Sequence, residues 1–333
     1  MKNIIFLLLL AFMSSCKQKI QKTENQNPTI IESKTEASTP KPEKQDEKII
    51  EEYSHKNTIL ENVMVPFTPR FFKEASDHQN LLGFYVGEFK AVKYDPEKKP
   101  SYSNKINISI NHITKDSIFG HSVVAGNARP FQGVIDTTTY KAKVVEPGDD
   151  KYDGVFEFKF NPTLKFIKGI WVANDTKLAV SERKYELLKN KFLYKPDQDL
   201  IKFNDDEEDG YYMGDVFAEL YNGVFDSNND GPESEYATIE ALKINASNTK
   251  LTNEDLENLH KGDLEIIRNS IYARHGYSFK NRRMRYFFDS HIDWYIPVST
   301  DIRNQLTDLE KKNIDLIKRY EQHAERYYDY FGR

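Results

Sequence analysis

Three groups of residues in this chain are of types that could do chemistry. Arg274 and His275 stand side by side in Tyr272-Ala273-Arg274-His275-Gly276, where an imidazole next to a guanidinium could act as a general base. That role needs a nucleophile within hydrogen-bond reach, and no motif supplies one. The spacing predicts instead that Arg274 caps a helix and pairs with a carboxylate such as Glu310, with His275 hydrogen-bonded at the edge of a buried face. A few residues on, Lys280, Arg282, Arg283 and Arg285 crowd the first turn of a short helix. Cations there oppose the helix dipole, so an anion or an acidic segment of the chain is expected to offset them, unless they form a solvated basic edge. The third candidate is Cys16, the single cysteine, which excludes an internal disulfide and a thiolate zinc cluster.

Metal sites are poorly supported. Asp226-Ser-Asn228-Asn-Asp230-Gly231 imitates the start of a calcium loop, but Ala237 stands where a bidentate Glu is needed and Glu233 where an apolar residue is usual. The eight His show no H-E-x-x-H spacing, and His291-x-Asp293 is too little for zinc. No metal or cofactor is expected.

The elements that position these residues follow from hydropathy. Met1-Lys2-Asn3 precedes a ten-residue apolar run, Ile4 to Met13, too short to cross a bilayer at about 20 residues. Met13, Ser14 and Ser15 before Cys16 resemble a bacterial lipobox. The resemblance implies cleavage after residue 15, lipidation of Cys16 and a membrane anchor, since each buried methylene is worth about 0.8 kcal/mol. Lys17 in place of Asp implies an outer-membrane destination, facing the periplasm. Residues 16–60 are rich in Lys, Glu, Gln, Thr, Ser and Pro and read as a solvated tether.

Residues 78–196 read as antiparallel β. Ile106, Ile108 and Ile110 alternate with polar residues, as do Phe156, Phe158 and Phe160, which predicts one dry and one wet face. Strands are expected at 82–89, 106–111, 117–125, 130–137, 139–146, 156–160, 165–173 and 183–194, with turns at Glu146-Pro-Gly148 and Asp153-Gly154. About eight strands suggest a barrel or sandwich, either packed solid or open to a small apolar ligand. The opening Gly83-x-Tyr85-x-Gly87 resembles the first strand of calycin-type barrels.

Residues 197–249 form an acidic connector. Positions 204–240 hold twelve Asp and Glu and no Lys or Arg, with interleaved Tyr and Phe that suit docking on a neighbour. From 250 to 333 the period becomes helical. Thr252-Asn-Glu-Asp255 and Thr307-Asp-Leu-Glu310 look like capping boxes. Helices are expected over 263–275, with the stripe Leu264, Ile267 and Ile271 and a Gly276 stop, over 281–289, and from Thr307 to about Tyr330. The inner face of the last is read as Leu309, Leu316, Ile317, Tyr320, Ala324, Tyr327 and Phe331.

Ile271-Tyr-Ala-Arg-His-Gly-Tyr277-x-Phe279, with Gly262-x-Leu264, Arg268-Asn269, Trp294-Tyr295 and Glu310-Lys-Lys-Asn313-Ile314, resembles the YARHG domain. The resemblance covers about 250–322 and implies an extracytoplasmic bacterial module, one found alongside peptidases. It implies no reaction. The whole is an α+β multi-domain chain with a β domain before a small all-α domain.

Composition narrows function further. A net charge of −5, and fifteen Lys and Arg against fourteen Asp and Glu over 246–333, give no drive toward nucleic acid. An apolar share of 38% excludes a polytopic membrane protein, and 21 Phe with 20 Tyr exclude full-length disorder. The expected function is a non-catalytic envelope lipoprotein that presents both domains to an envelope protein or glycan. A hydrolase or peptidase-associated factor and a carrier of small apolar ligands are the alternatives.

Overall fold

The computed structural model describes residues 76–200, 237, 238 and 240–327, with side chains to 324. Eight antiparallel strands close into a barrel in sequence order. They are β1 (Gly83–Tyr94), β2 (Lys105–Ile113), β3 (Ser117–Val124), β4 (Asn127–Asp136), β5 (Lys141–Val145), β6 (Gly154–Asn161), β7 (Phe166–Ala173) and β8 (Val180–Asn190). Closure pairs β8 with β1, Tyr85 opposite Lys189 and Phe89 opposite Tyr185, and leaves no free edge.

The period-two residues fill the barrel. Ile106, Ile108, Phe131, Phe156, Phe158 and Ile167 are buried, as are Tyr85, Phe89, Trp171 and Tyr185. Phe156 lies within 6.4 Å, centroid to centroid, of Phe89, Phe131, Trp171 and Tyr185. Each such ring contributes about 1.5–3 kcal/mol by burial. Eight strands leave an interior that side chains can fill, and here they do so. Of the two alternatives, the packed interior is the one found, and the open apolar cup is not. Gly120 lets β3 approach closely, because a Cβ there would meet the Phe131 ring at 2.7 Å.

Both ends are plugged. At one, a 3-10 turn, Gln79–Leu81, buries Leu81, whose carbonyl accepts the Tyr85 hydroxyl at 2.9 Å. At the other, buried Glu146 accepts from Ser122 Oγ (2.9 Å), Gly154 N (2.8 Å) and Trp171 Nε1 (3.2 Å). Burial pushes its carboxyl up to about 7 despite those bonds and the nearby Arg129 charge. Arg129 Nε meets buried Asp153 at 3.0 Å. Arg183 donates to the Phe89 and Ser101 carbonyls there.

Three details of the barrel differ from expectation. The β3–β4 connection is a two-residue turn, Ala125-Gly126, both with positive φ (51° and 73°), so β4 starts at Asn127. Alanine there carries no turn signal. Asp153-Gly154 is not the tip of its loop; the Asp153 carboxylate accepts from Gly148 N and Asp150 N and holds the loop shut. On β2, Asn107 and Ser109, alternating with the inward isoleucines, are also buried, and Asn111 alone on that face is exposed.

Four helices follow: α1 (Glu240–Lys243), α2 (Lys261–Arg274), α3 (Arg282–His291) and α4 (Asp308–Tyr327). Their core gathers Leu264, Ile267, Ile271, Phe287, Phe288, Tyr295, Ile314 and Ile317, and draws in Leu200, Ala241, Leu242 and Ala246 from the stretch read as connector. Thr252 opens no helix; its N–H and hydroxyl both donate to Asp255 within a run of turns. The inner face of α4 is also displaced from the expected stripe. Glu310 and Asn313 are buried beside Ile314 and Ile317, whereas Leu309, Leu316 and Tyr320 are half-buried. Asn313 is inside because it satisfies backbone: it donates to Ala246 O and Thr249 O and accepts from Leu251 N.

The helical domain is hydrogen-bonded to the barrel end that carries Glu146. Lys105 N donates to Asp289 (2.9 Å), Lys105 Nζ to Ile292 O (3.0 Å), and Gly126 N to Ser278 Oγ (2.9 Å).

Candidate functional site

The charged pair at the end of α2 is a structural knot. Arg274 is 3% exposed and donates through Nε and Nη2 to Gln198 O and through Nη1 to Ser270 Oγ. It also lies over the Trp294 ring. Burial pushes its guanidinium down to about 10, which leaves it charged at neutral pH. The carboxylate expected for Arg274 goes to its neighbour. His275 Nε2 lies 2.8 Å from Glu310 Oε2, and the imidazole stacks on Tyr194 at 4.2 Å. Glu310 also accepts from Tyr194 Oη (3.1 Å) and Thr307 N (2.9 Å). Burial alone would raise Glu310, but the His275 bond, the Thr307 amide and the imidazole's charge outweigh it and hold the carboxyl below its ordinary range. Burial and Glu310 together push the Tyr194 phenol up to about 12.

The geometry follows from the helix. Arg274 and His275 come three and four residues after buried Ile271 and so turn inward, not to an edge. Gly276, at φ 71°, ends the helix as expected. Its lack of a side chain also matters, since a Cβ would meet Val298 at 2.4 Å. Both side chains clasp residues 194–198, the strap that leaves the barrel. A packed imidazole bonded to a buried carboxylate has no access to a substrate, which removes the ground for a hydrolase centred on His275.

The four cations at α3 do not gather round one point. Arg282 donates to the Lys99 and Pro100 carbonyls, Arg283 pairs with Glu265, and Arg285 donates to Lys280 O. Burial and the Arg282 charge lower Arg285, while Asp289 supports its charged form. The unfavourable first turn is thus offset by carbonyls of the barrel, by Glu265 and by the Asn281 cap, whose Oδ1 accepts from Arg283 N and Met284 N. Only Lys280 turns to the groove described next. Cys16 and the loop Asp226–Gly231 lie outside the described residues, as does most of the acidic segment.

Beside the buried pair, the same helix walls an open cleft of about 790 Å³ between α2, the start of α3, the loop 299–306 and α4. Its floor is apolar: Tyr272, Tyr277, Phe279, Met284, Ile302 and Ile314. Tyr277 stands edge-on to both Tyr272 and Phe279, with centroids 6.1 and 5.2 Å away. Arg268 covers Tyr272 at 5.9 Å and is itself held by both oxygens of Glu321. The rim carries Lys280, Arg303, Lys311 and Lys318 with Asp301 and Asp315. The motif therefore divides its labour: Arg274 and His275 lock the fold, Ala273 packs in the core, and Tyr272 faces the cleft. Ile302, Arg303 and Lys318 carry no sequence signal for this site; the loop 299–306 reaches it only through folding.

Comparison with known proteins agrees with this division of the chain. Residues 239–322 match the YARHG domain, which takes in the stretch from α1 through most of α4. No curated protein and no solved structure matches the chain. Among the described residues there is no group of three or more His, Cys, Asp or Glu that could hold a metal ion. No helix among them is long and apolar enough to cross a membrane.

Proposed function

We propose that this is a cell-envelope lipoprotein, anchored by lipid on Cys16 to the outer membrane and facing the periplasm, whose helical domain binds an envelope glycan without transforming it. The observation that carries the reading is the cleft. Sugar rings present apolar C–H faces that lie on aromatic side chains, and their hydroxyl and carboxylate groups suit a charged rim. Tyr272 and Tyr277 supply the rings, and Lys280, Lys311 and Lys318 supply cations for acidic substituents. The YARHG match supports an envelope setting, and the apolar run ending at Cys16 supports the anchor.

The test is co-sedimentation of the full chain, purified in detergent, with insoluble cell-wall glycan. Binding is expected to fall about tenfold in Tyr272→Ala with Tyr277→Ala, as aromatic contacts are lost. Absence of binding, or equal binding by the variant, sinks the proposal. Mass spectrometry of the membrane fraction tests the anchor: an unmodified Cys16 ends that part.

A further inference from the structure

The three most exposed large apolar side chains of the described residues are leucines at or just past one end of the barrel, the last of them beside a pocket that it shares with Arg274 and Trp294. Leu164, in the β6–β7 turn, is 67% exposed; Leu188, on the outer face of β8, is 60% exposed; Leu193, just past β8, is 61% exposed. The turn and the end of β8 are held together, since Lys189 N donates to Lys165 O at 2.7 Å. Lysines alternate with the leucines: Lys165 next to Leu164, Lys189 next to Leu188, and Lys191 two before Leu193. Lys165 and Lys189 are close enough that the Lys165 charge helps lower Lys189, after burial. No ion pair with a carboxylate is seen for Lys165, Lys189 or Lys191 among the described residues. Acids also lie near this end of the barrel: Asp77 on the approach to β1, the strand that pairs with β8, Asp116 in the β2–β3 turn, Asp136 at the β4–β5 turn across the ring, and exposed Glu186, two residues before Leu188 and paired with Lys168.

Exposed leucines interleaved with like-charged lysines match one kind of surface: acyl chains under anionic headgroups. The chain's own path agrees. The described residues begin at Ser76, which bonds to Ile113 O at this same end of the barrel, and Lys189 Nζ donates to Asn80 O. The first described residue therefore lies at the barrel end that carries Leu164 and Leu188. We infer that the β6–β7 turn and the end of β8 form a membrane-facing edge that rests on an anionic lipid surface. This edge is separate from the glycan cleft and does not depend on what that cleft binds.

The experiment places the full chain in vesicles of phosphatidylethanolamine with about a third phosphatidylglycerol, or in neutral phosphatidylcholine vesicles, and maps lysine acylation by mass spectrometry. Each lysine near an anionic surface is worth about fivefold in association. Labelling of Lys165 and Lys191 is expected to fall about fivefold in the anionic vesicles only, while Lys98 and Lys151, at the other end of the barrel, keep theirs. Leu164→Ser with Leu188→Thr, both at exposed positions, is expected to restore labelling, as is about 0.5 M salt. Equal labelling in both vesicles, protection that extends to Lys98 and Lys151, protection unchanged in the leucine variant, or failure to associate with vesicles would each overturn the inference. Equal protection in both vesicles would assign the edge to the chain's own N-terminal segment or to a second copy. Loss of glycan binding leaves this result untouched, and the reverse also holds.

Discussion

The barrel and the helical domain solve the same packing problem by different means. In the barrel every strand bonds to its neighbours in sequence order, and alternation alone delivers the aromatic rings to one closed interior. Its polar groups, Glu146 with Trp171 and Asp153 with Arg129, are satisfied between its own strands and loops. The helical domain has no such repeat. Its core joins residues from Leu200 to Ile317, and its buried polar side chains, Arg274, His275, Glu310 and Asn313, reach to distant backbone or to the strap from the barrel. Short helices joined by turns also leave a gap, and that gap is the cleft. A closed sheet uses up its surface on itself, whereas an irregular helical assembly keeps a concavity lined by whatever its loops bring.

The two tryptophans make this contrast measurable, one in each part: Trp171 in the barrel and Trp294 in the helical domain. The largest effect is expected from Phe156→Ala. It removes a ring that touches four others and should cost about 4 kcal/mol, read as a lowered denaturation midpoint of Trp171 fluorescence. Glu310→Ala should cost about 3 kcal/mol, because it strands His275, the Tyr194 hydroxyl and the Thr307 amide together. It should shift the Trp294 transition first. If both tryptophans shift together in both variants, the two parts form one cooperative unit and the contrast fails.

Acid should act in opposite directions on buried Glu146 of the barrel and Glu310 of the helical domain, while burial also raises Asp289, Asp263 and Glu321 of the helical domain. The folded pKa of Glu146 is raised to about 7, so the native barrel holds a proton that the unfolded chain releases between about 4.5 and 7. Its contribution is greatest below that window and is lost as pH rises through it, by roughly 3 kcal/mol at about 1.4 kcal/mol per unit. Glu146→Gln should flatten that slope in Trp171-detected unfolding. Glu310, held low, contributes above its ordinary pKa and loses that contribution as pH falls. A Glu146→Gln variant whose Trp171-detected stability keeps the wild-type slope between about 4.5 and 7 would contradict the assignment. The smallest stability effect belongs to the cleft. Tyr272→Ala removes a half-buried ring and should cost about 1 kcal/mol or less while weakening glycan binding.

Alternation in 106–110 and 156–160 made the barrel strands legible, and the Gly276 stop and the Leu264–Ile267–Ile271 stripe made α2 legible. These are local signals, set by which side chains can share a face. The Ala125-Gly126 turn was not legible, because alanine at positive φ is held there by the pairing of β3 with β4 and carries no turn chemistry of its own. The Thr252 box misled because side-chain bonds to nearby amides suit turns as well as helix starts.

The amino-acid sequence by itself thus determined the order of strands and helices, the seat of the YARHG motif and the residues that could be buried, since each depends on periods of two or 3.6 and on single-residue conformations. Only the tertiary structure decided that Glu310 meets His275 and not Arg274, that Arg282 bonds to barrel carbonyls, and that Tyr272 shares a cleft with Ile302 and Lys318. Partners far apart in the chain are chosen by which buried groups must be satisfied once the pieces close, and no local pattern encodes that choice.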